Sequence, residues 1–211
     1  MAHKPILFST PMVQALLEGR KTQTRRVIKG VRKDNSLLVE KPTKTRMGIS
    51  THVIDAPELG LLQYSKGDLL WVRETWAQIE EVECGCSEFC LCPQVGEVRY
   101  RATVGDDERK WKPSIFMPRQ HSRLTLEVTS VRVGPLRIIS EEDAKAEGVN
   151  AIGAEDGRDP DKRSFVWSFQ ILWDSLNKNR GYGWDTNPWV CIPEFKVHHC
   201  NIDSFNQQER S

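Results

Sequence analysis

The chain has 211 residues, enough for one domain that buries a proper core, with or without a large insertion. Its 30 Lys and Arg stand against 29 Asp and Glu, so a global polyanion-binding charge is excluded and any nucleic-acid contact must come from a local patch. No signal-peptide pattern opens it and no apolar run is long enough to span a bilayer, which predicts a cytoplasmic protein with no membrane partner.

Residues 5–8 supply a short apolar run read as a strand. Thr10-Pro11 reads as an N-cap followed by proline in the first helical position. Met12, Ala15 and Leu16 then form an apolar stripe at helical spacing, with Val13 and Leu17 beside it. Gly19 is the expected stop of that helix. Directly behind it, Gly19-Arg20-Lys21-Thr22-Gln23-Thr24-Arg25-Arg26 holds four cations and two hydroxyls. Stripping water from several unpaired charges costs many kcal/mol, so this segment either faces solvent or lines a polar cleft. A lysine can reach the hydroxyl of a threonine three positions on if the backbone turns, and that pair is a candidate base and nucleophile. The competing reading is a solvated basic turn at a helix C-terminus, where the macrodipole favours cations. From Thr24 the chain is expected to run on through Val27 and Ile28 as a strand.

Residues 29–63 are polar and punctuated by Gly30, Pro42, Gly48 and Pro57, which predicts a long mobile loop or weak hairpin. Lys66-Gly67-Asp68 signals a turn, with a strand behind it over residues 69–73. Residues 97–103 alternate Val98, Tyr100 and Ala102 against Glu97, Arg99 and Arg101, the pattern of a half-buried strand. A proline-punctuated loop follows over 111–119, then a long strand over 124–133. Ser140 with Asp143 resembles a capping box and starts a helix that ends at Gly148. Phe165, Phe169, Leu172, Trp173 and Leu176 predict a long C-terminal amphipathic helix. A last strand covers 189–197, where Pro193 marks an edge or bulge, and residues 201–211 form a flexible polar tail. Strands with interspersed helices and no regular alternation predict an α+β fold. A small mixed β-barrel with short rim helices fits best, as a single domain over residues 1–200 with insertions at about 30–63 and 77–96.

Within the second insertion, Cys84, Cys86, Cys90 and Cys92 put four thiols in nine residues. Disulfides are disfavoured in the cytosol, so these are candidate ligands of a structural zinc that pins the inserted loop. With four protein thiolates and no open position for water, such a zinc would be structural only. The competing reading is a free, oxidation-prone loop.

Three motifs in order carry a family resemblance: Gly19-Arg20-Lys21-Thr22-Gln23-Thr24, Lys66-Gly67-Asp68-Leu69-Leu70-Trp71-Val72, and Leu124-Thr125-Leu126-Glu127-Val128-Thr129 with residues 140–149 behind it. Together they resemble an ASCH domain, a member of the PUA-like β-barrel superfamily. Longer phage and prophage proteins of that family are similar also at residues 5–12, Arg73-Glu74-Thr75-Trp76, residues 114–119 and Asn187-Pro188-Trp189-Val190. Small ASCH proteins remove the acetyl group from N4-acetylcytidine through a lysine, a threonine and a glutamate. The resemblance implies an amidohydrolase in which Lys21 accepts a proton, Thr24 is the nucleophile and Glu147 donates a proton, with no cofactor for catalysis.

The chemistry is coherent. Thr24 needs a neighbouring base, and Arg20, Arg25 and Arg26 would lower the pKa of Lys21. Glu147 lies in a last helical turn, where its charge opposes the macrodipole; the competing reading is an exposed helix-end residue. Arg20, Arg26, Arg73, Trp76, Arg119 and Asn187 are candidate substrate contacts, because Arg and Asn offer donors to a phosphate or base edge and Trp stacks on a nucleobase. Trp76 as a core aromatic, Arg73 in a structural ion pair and Asn187 in a turn are the competing readings. The expected partner is a modified nucleoside or RNA, with no protein partner inferable. The rival functions are a non-catalytic module for RNA or a modified base and a ribonuclease using the same basic cleft.

Overall fold

The computed structural model describes residues 2–29, 38–45, 48–55, 62–81, 94–151 and 164–208. Its elements are, in chain order, β1 (His3–Leu7), α1 (Thr10–Leu17), β2 (Arg26–Val27), β3 (Leu38–Thr45), β4 (Gly48–Asp55), β5 (Leu69–Arg73), β6 (Trp76–Gln78), β7 (Val98–Tyr100), α2 (Arg101–Val104), β8 (Thr125–Pro135), α3 (Glu141–Ala146), α4 (Phe165–Asn177), β9 (Trp189–His198) and α5 (Ile202–Gln208). The fold is α+β, as the interspersed strands and helices predict. Two compact units divide it: residues 1–19, 69–127 and 197–211 in the first, residues 20–68 and 128–196 in the second.

In the first unit β1 lies parallel to β5, and β5 pairs antiparallel with the start of β8, Leu70 opposite Leu126. Leu69, Leu70 and Val72 are all buried, so β5 is an interior strand. The turn at residues 66–68 that precedes β5 is built as the sequence predicts. Gly67 has φ 85°, and the Asp68 carboxylate accepts from the Ser65 N–H at 3.0 Å. Helix α1 buries Val13, Ala15 and Leu16, but its N-cap is Ser9, one residue before the expected Thr10. Thr10 and Pro11 both sit inside the first turn, where proline's missing N–H costs nothing.

Two expectations are corrected in this unit. The strand expected over 97–103 stops at Tyr100, because its partner β6 is only three residues long and offers no ladder beyond Trp76. The chain instead turns into α2, which ends at Gly105 (φ 86°). The expected flexible tail contains α5, whose Ile202 and Phe205 bury against Leu69 and Trp71. Fully burying two such side chains contributes about 1.5–3 kcal/mol each, enough to hold a short helix in place.

In the second unit β2 pairs antiparallel with β9, Arg26 opposite Cys191 and Val27 opposite Val190, and β9 lies next to β8. β3 and β4 pair antiparallel, Leu38 opposite Asp55 and Thr45 opposite Gly48, two strands within a segment expected as loop or weak hairpin. The core gathers Leu136, Ile139, Ala144, Phe169, Trp173, Trp184, Val190 and Ile192. Helix α4 starts where the Ser164 side chain accepts from the Trp167 N–H at 2.9 Å, and it turns Phe169 and Trp173 inward, while Leu176 is 51% exposed. It is not the last element, since β9 and α5 follow it. The expected barrel is not closed among the described residues. β1 and β2 each have a partner on one side only, and the β3–β4 and β6–β7 pairs bond to no other strand.

Candidate active site

The basic segment belongs to the second unit, and backbone hydrogen bonds fix it there. The N–H groups of Thr22 and Gln23 donate to the Ala146 carbonyl at 2.9 and 3.3 Å, at the end of α3. On its other side Thr24 donates to the Pro193 carbonyl at 3.2 Å, and the Phe195 N–H donates to the Thr22 carbonyl at 2.9 Å. Residues 22–24 thus run along β9 with one bridge, Gln23 to Glu194, and the ordered strand is only Arg26–Val27, shorter than expected. Pro193 falls where β9 meets this single-bridge segment instead of a full ladder, which suits a residue with no N–H to give.

Clamped this way, the segment turns its charges inward. Lys21 is 1% exposed and Arg25 4%, so the solvated-turn reading does not describe them. Thr24 is 4% exposed and Glu147 3%. Glu147 is therefore not an exposed helix-end residue. It is the C-cap of α3, followed by Gly148 in the left-handed region at φ 84°. At the other end of α3 only the N-cap half of the predicted capping box is seen, with Ser140 Oγ accepting from the Asp143 N–H at 3.1 Å while the Asp143 carboxylate bonds Arg25 and Arg132.

The charges pair in an alternating chain that runs from the buried Lys21, Glu147 and Arg25 out to the exposed Arg132 and the half-buried Glu194. Lys21 Nζ donates to the Glu147 carbonyl at 2.6 Å and to Glu147 Oε2 at 3.2 Å. Arg25 Nη1 donates to Glu147 Oε1 at 2.9 Å, and Arg25 Nη2 to Asp143 Oδ2 at 2.7 Å. Asp143 Oδ1 in turn accepts from Arg132 Nη2 at 3.0 Å, and Arg132 Nε donates to Glu194 Oε1 at 2.8 Å. Gln23 ties in by donating to Asp143 and accepting from Arg132. Burial holds Lys21 below its ordinary value of 10.5, opposed by the Glu147 carboxylate and assisted by the Arg26 and Arg25 cations. Burial would push Asp143 up, but Arg132 and Arg25 outweigh it and hold the carboxyl below its ordinary range. Beside the chain opens a cleft of about 360 Å³ lined by Thr22, Gln23, Arg132, Asp143, Glu194 and Phe195 among others; Lys21, Thr24 and Glu147 are not on its walls.

The sequence-predicted substrate contacts fall in both units. In the second unit Arg20 Nη1 donates to the Gly148 carbonyl at 3.0 Å, and Arg26 hydrogen-bonds Tyr64, whose phenol burial pushes up. Asn187 has φ 43°, and its Oδ1 accepts from the Arg137 N–H at 2.8 Å, which is the geometry of a turn residue. In the first unit Arg73 donates to the Ile115 carbonyl and lies over the Trp71 ring at 5.3 Å. Trp76 is a buried aromatic with Lys112 Nζ 5.2 Å from its ring centre, and Arg119 pairs with Asp203 at 2.5 Å. Cys84, Cys86, Cys90 and Cys92 lie outside the described residues; among the described ones no group of His, Cys, Asp or Glu is arranged to hold a metal. No helix among them is long and apolar enough to cross a membrane.

Sequence reasoning did not pick out Arg132 or Glu194, and it took Asp143 only as a cap and Arg25 only as a source of field. One signal was available: Asp143 and Glu147 stand four apart, the spacing that puts two carboxylates on one helix face.

No family model matches this chain, and no curated protein matches its sequence. Among solved structures, the crystal structure of an ASCH domain from Lactobacillus crispatus JV V101 is similar at a TM-score of 0.41 and 14% identity, over 93% of this chain and 79% of that one.

Proposed function

We propose that this chain is an amidohydrolase of the ASCH type, acting on an acylated or otherwise modified nucleobase or nucleoside such as N4-acetylcytidine. The observation that carries the reading is the buried Lys21, held below its ordinary pKa and hydrogen-bonded to Glu147, three positions before a buried threonine. A lysine in that condition supplies the base that a threonine hydroxyl requires. Thr24 Oγ1 attacks the acyl carbonyl while Lys21, in its deprotonated form, takes its proton. The proton crosses the hydrogen bond to Glu147, which delivers it to the departing amine nitrogen as the amide bond breaks. Water then cleaves the acyl–threonine ester, releasing the carboxylic acid and restoring Thr24. Arg20 and Arg26 are the candidate anchors for the rest of the substrate. Cys84, Cys86, Cys90 and Cys92 remain proposed ligands of a structural zinc, tested by the metal content of the purified protein beside Cys84→Ser.

A second reading, a non-catalytic module binding RNA or a modified base, draws on the same burial, because a cluster this well paired also serves as a structural pin. The test is release of cytidine from N4-acetylcytidine, followed by chromatography, with wild type beside Lys21→Ala, Thr24→Ala and Glu147→Ala. Thr24→Ala is the sharpest variant, since it removes the hydroxyl and leaves every ion pair in place. Turnover by the wild type that vanishes in folded Thr24→Ala supports the enzyme. A folded wild type that binds the nucleoside or RNA without turnover supports the module, and RNA degraded without need of an acyl group points to a ribonuclease.

A further inference from the structure

Asp143 and Glu147 stand four residues apart at the end of α3, where two carboxylates are neighbours and repel. One guanidinium spans them, with Arg25 Nη1 on Glu147 Oε1 at 2.9 Å and Nη2 on Asp143 Oδ2 at 2.7 Å. The Phe169 ring of α4 lies 5.8 Å from the same guanidinium, and Arg25 Nε has no hydrogen-bond partner among the described residues. Burying an arginine with an unpartnered donor is costly, so the fork is held for what its other two nitrogens do. Glu147 has two oxygens, and Arg25 occupies Oε1 while Lys21 occupies Oε2. The arginine therefore fixes the rotation at which the carboxylate presents its other oxygen to the lysine.

We propose that Arg25 is a positioning residue that orients the Glu147 carboxylate toward Lys21 through a two-pronged bond anchored on Asp143. This rests on the amidohydrolase reading for its consequence in turnover, though not for its consequence on Lys21. The charged groups facing Lys21 are Glu147 from the end of α3 and Arg25 and Arg26 from its own segment. Without Arg25, Glu147 has Lys21 as its one remaining cationic partner in the cluster, and Lys21 loses a repelling neighbour. Both changes favour the protonated amine, so Lys21 serves as a base only at higher pH than in the wild type.

The test uses the full chain as wild type, Arg25→Met and Arg25→Lys, each checked for folding by circular dichroism. Two quantities are read: the titration of Lys21 Nζ by nitrogen-15 NMR, assigned with Lys21→Arg, and the kcat and KM for N4-acetylcytidine. Arg25→Met is expected to move the Lys21 titration to higher pH. Arg25→Lys keeps the charge but not the fork, so it is expected to leave the titration near the wild-type position. Its kcat falls on the order of 10²-fold with KM unchanged, the usual scale for a misplaced catalytic group. An Arg25→Lys variant with wild-type kcat overturns the positioning role. A Lys21 titration that does not move in folded Arg25→Met overturns the link to the base; if Arg25→Met does not fold, the Arg25→Lys kinetics decide. Should the wild type turn over no substrate, the reaction reading fails, and the Lys21 titrations with the stability deficit of Arg25→Lys still decide whether the fork orients Glu147. No deficit and no shift sink it.

Discussion

Replacing Glu147 with alanine removes the carboxylate that joins the two buried cations Lys21 and Arg25. The carboxylate receives Lys21 Nζ at 3.2 Å and Arg25 Nη1 at 2.9 Å, and none of the three residues is more than 4% exposed. Its removal strands two cations in the interior, which costs about 3–5 kcal/mol for a broken buried pair. Arg25 keeps Asp143 and Lys21 keeps the backbone carbonyl of residue 147, so the lower half of that range is expected. Against a typical stability of about 5–15 kcal/mol, this is a large fraction. The cost depends on pH in a fixed direction. Lys21 already lies below 10.5, and Glu147 is what opposes the lowering. In Glu147→Ala the folded chain therefore gives up the Lys21 proton at still lower pH, while the unfolded chain holds it to about 10.4. Across that window the unfolded state binds more protons, so the variant gains stability as pH rises, and faster than the wild type does. Urea unfolding followed by tryptophan fluorescence, at pH 7 and again at pH 10, reads both quantities. A deficit below about 1 kcal/mol at pH 7, or one that does not shrink at pH 10, would refute the buried-pair account.

Arg123→Met in the first unit is the mirror case. Arg123 forks onto buried Glu74 with two bonds of 2.9 Å, and burial pushes Glu74 up while Arg123 opposes it. The variant is expected to lose about 3–5 kcal/mol at neutral pH. Glu74 then rises further, so the folded chain binds the extra proton and the deficit shrinks as pH falls; chemical denaturation at pH 7 and pH 5 checks the direction. Gly19→Ala has open space for its Cβ but a φ of 72°, so strain alone should cost about 1–2 kcal/mol, measured by the same unfolding curves. The Cys191 thiol is buried and pushed up to about 11, so iodoacetamide at neutral pH should leave it unlabelled until denaturant is added, as peptide mapping would show.

Much of the local structure was legible because its causes are local. The turn at residues 66–68, the Gly19 stop, the Ser140 N-cap and the long strand β8 each follow from residues within a few positions of one another. The errors have a common origin. Residues 97–103 alternate well enough for a strand, but a strand needs a partner as long as itself, and β6 ends after three residues. The polar tail looked frayed because Ile202 and Phe205 are only two apolar residues, yet two suffice when Leu69 and Trp71 lie under them.

The sequence by itself determined that Lys21 and Thr24 stand at a spacing fit for a base and a nucleophile, and that several cations crowd one short segment. It also determined that Glu147 closes a capped helix. Tertiary structure alone decided that these charges are buried and which of them meet. Lys21 and Glu147 are 126 residues apart in sequence, and Arg132 and Gln23 are 109 apart. A hydrogen-bonded ion pair needs its partners within a few ångströms, while sequence signals reach only a few residues. The chain had to fold before a basic turn became an ion-paired cluster with one lysine held below its ordinary pKa.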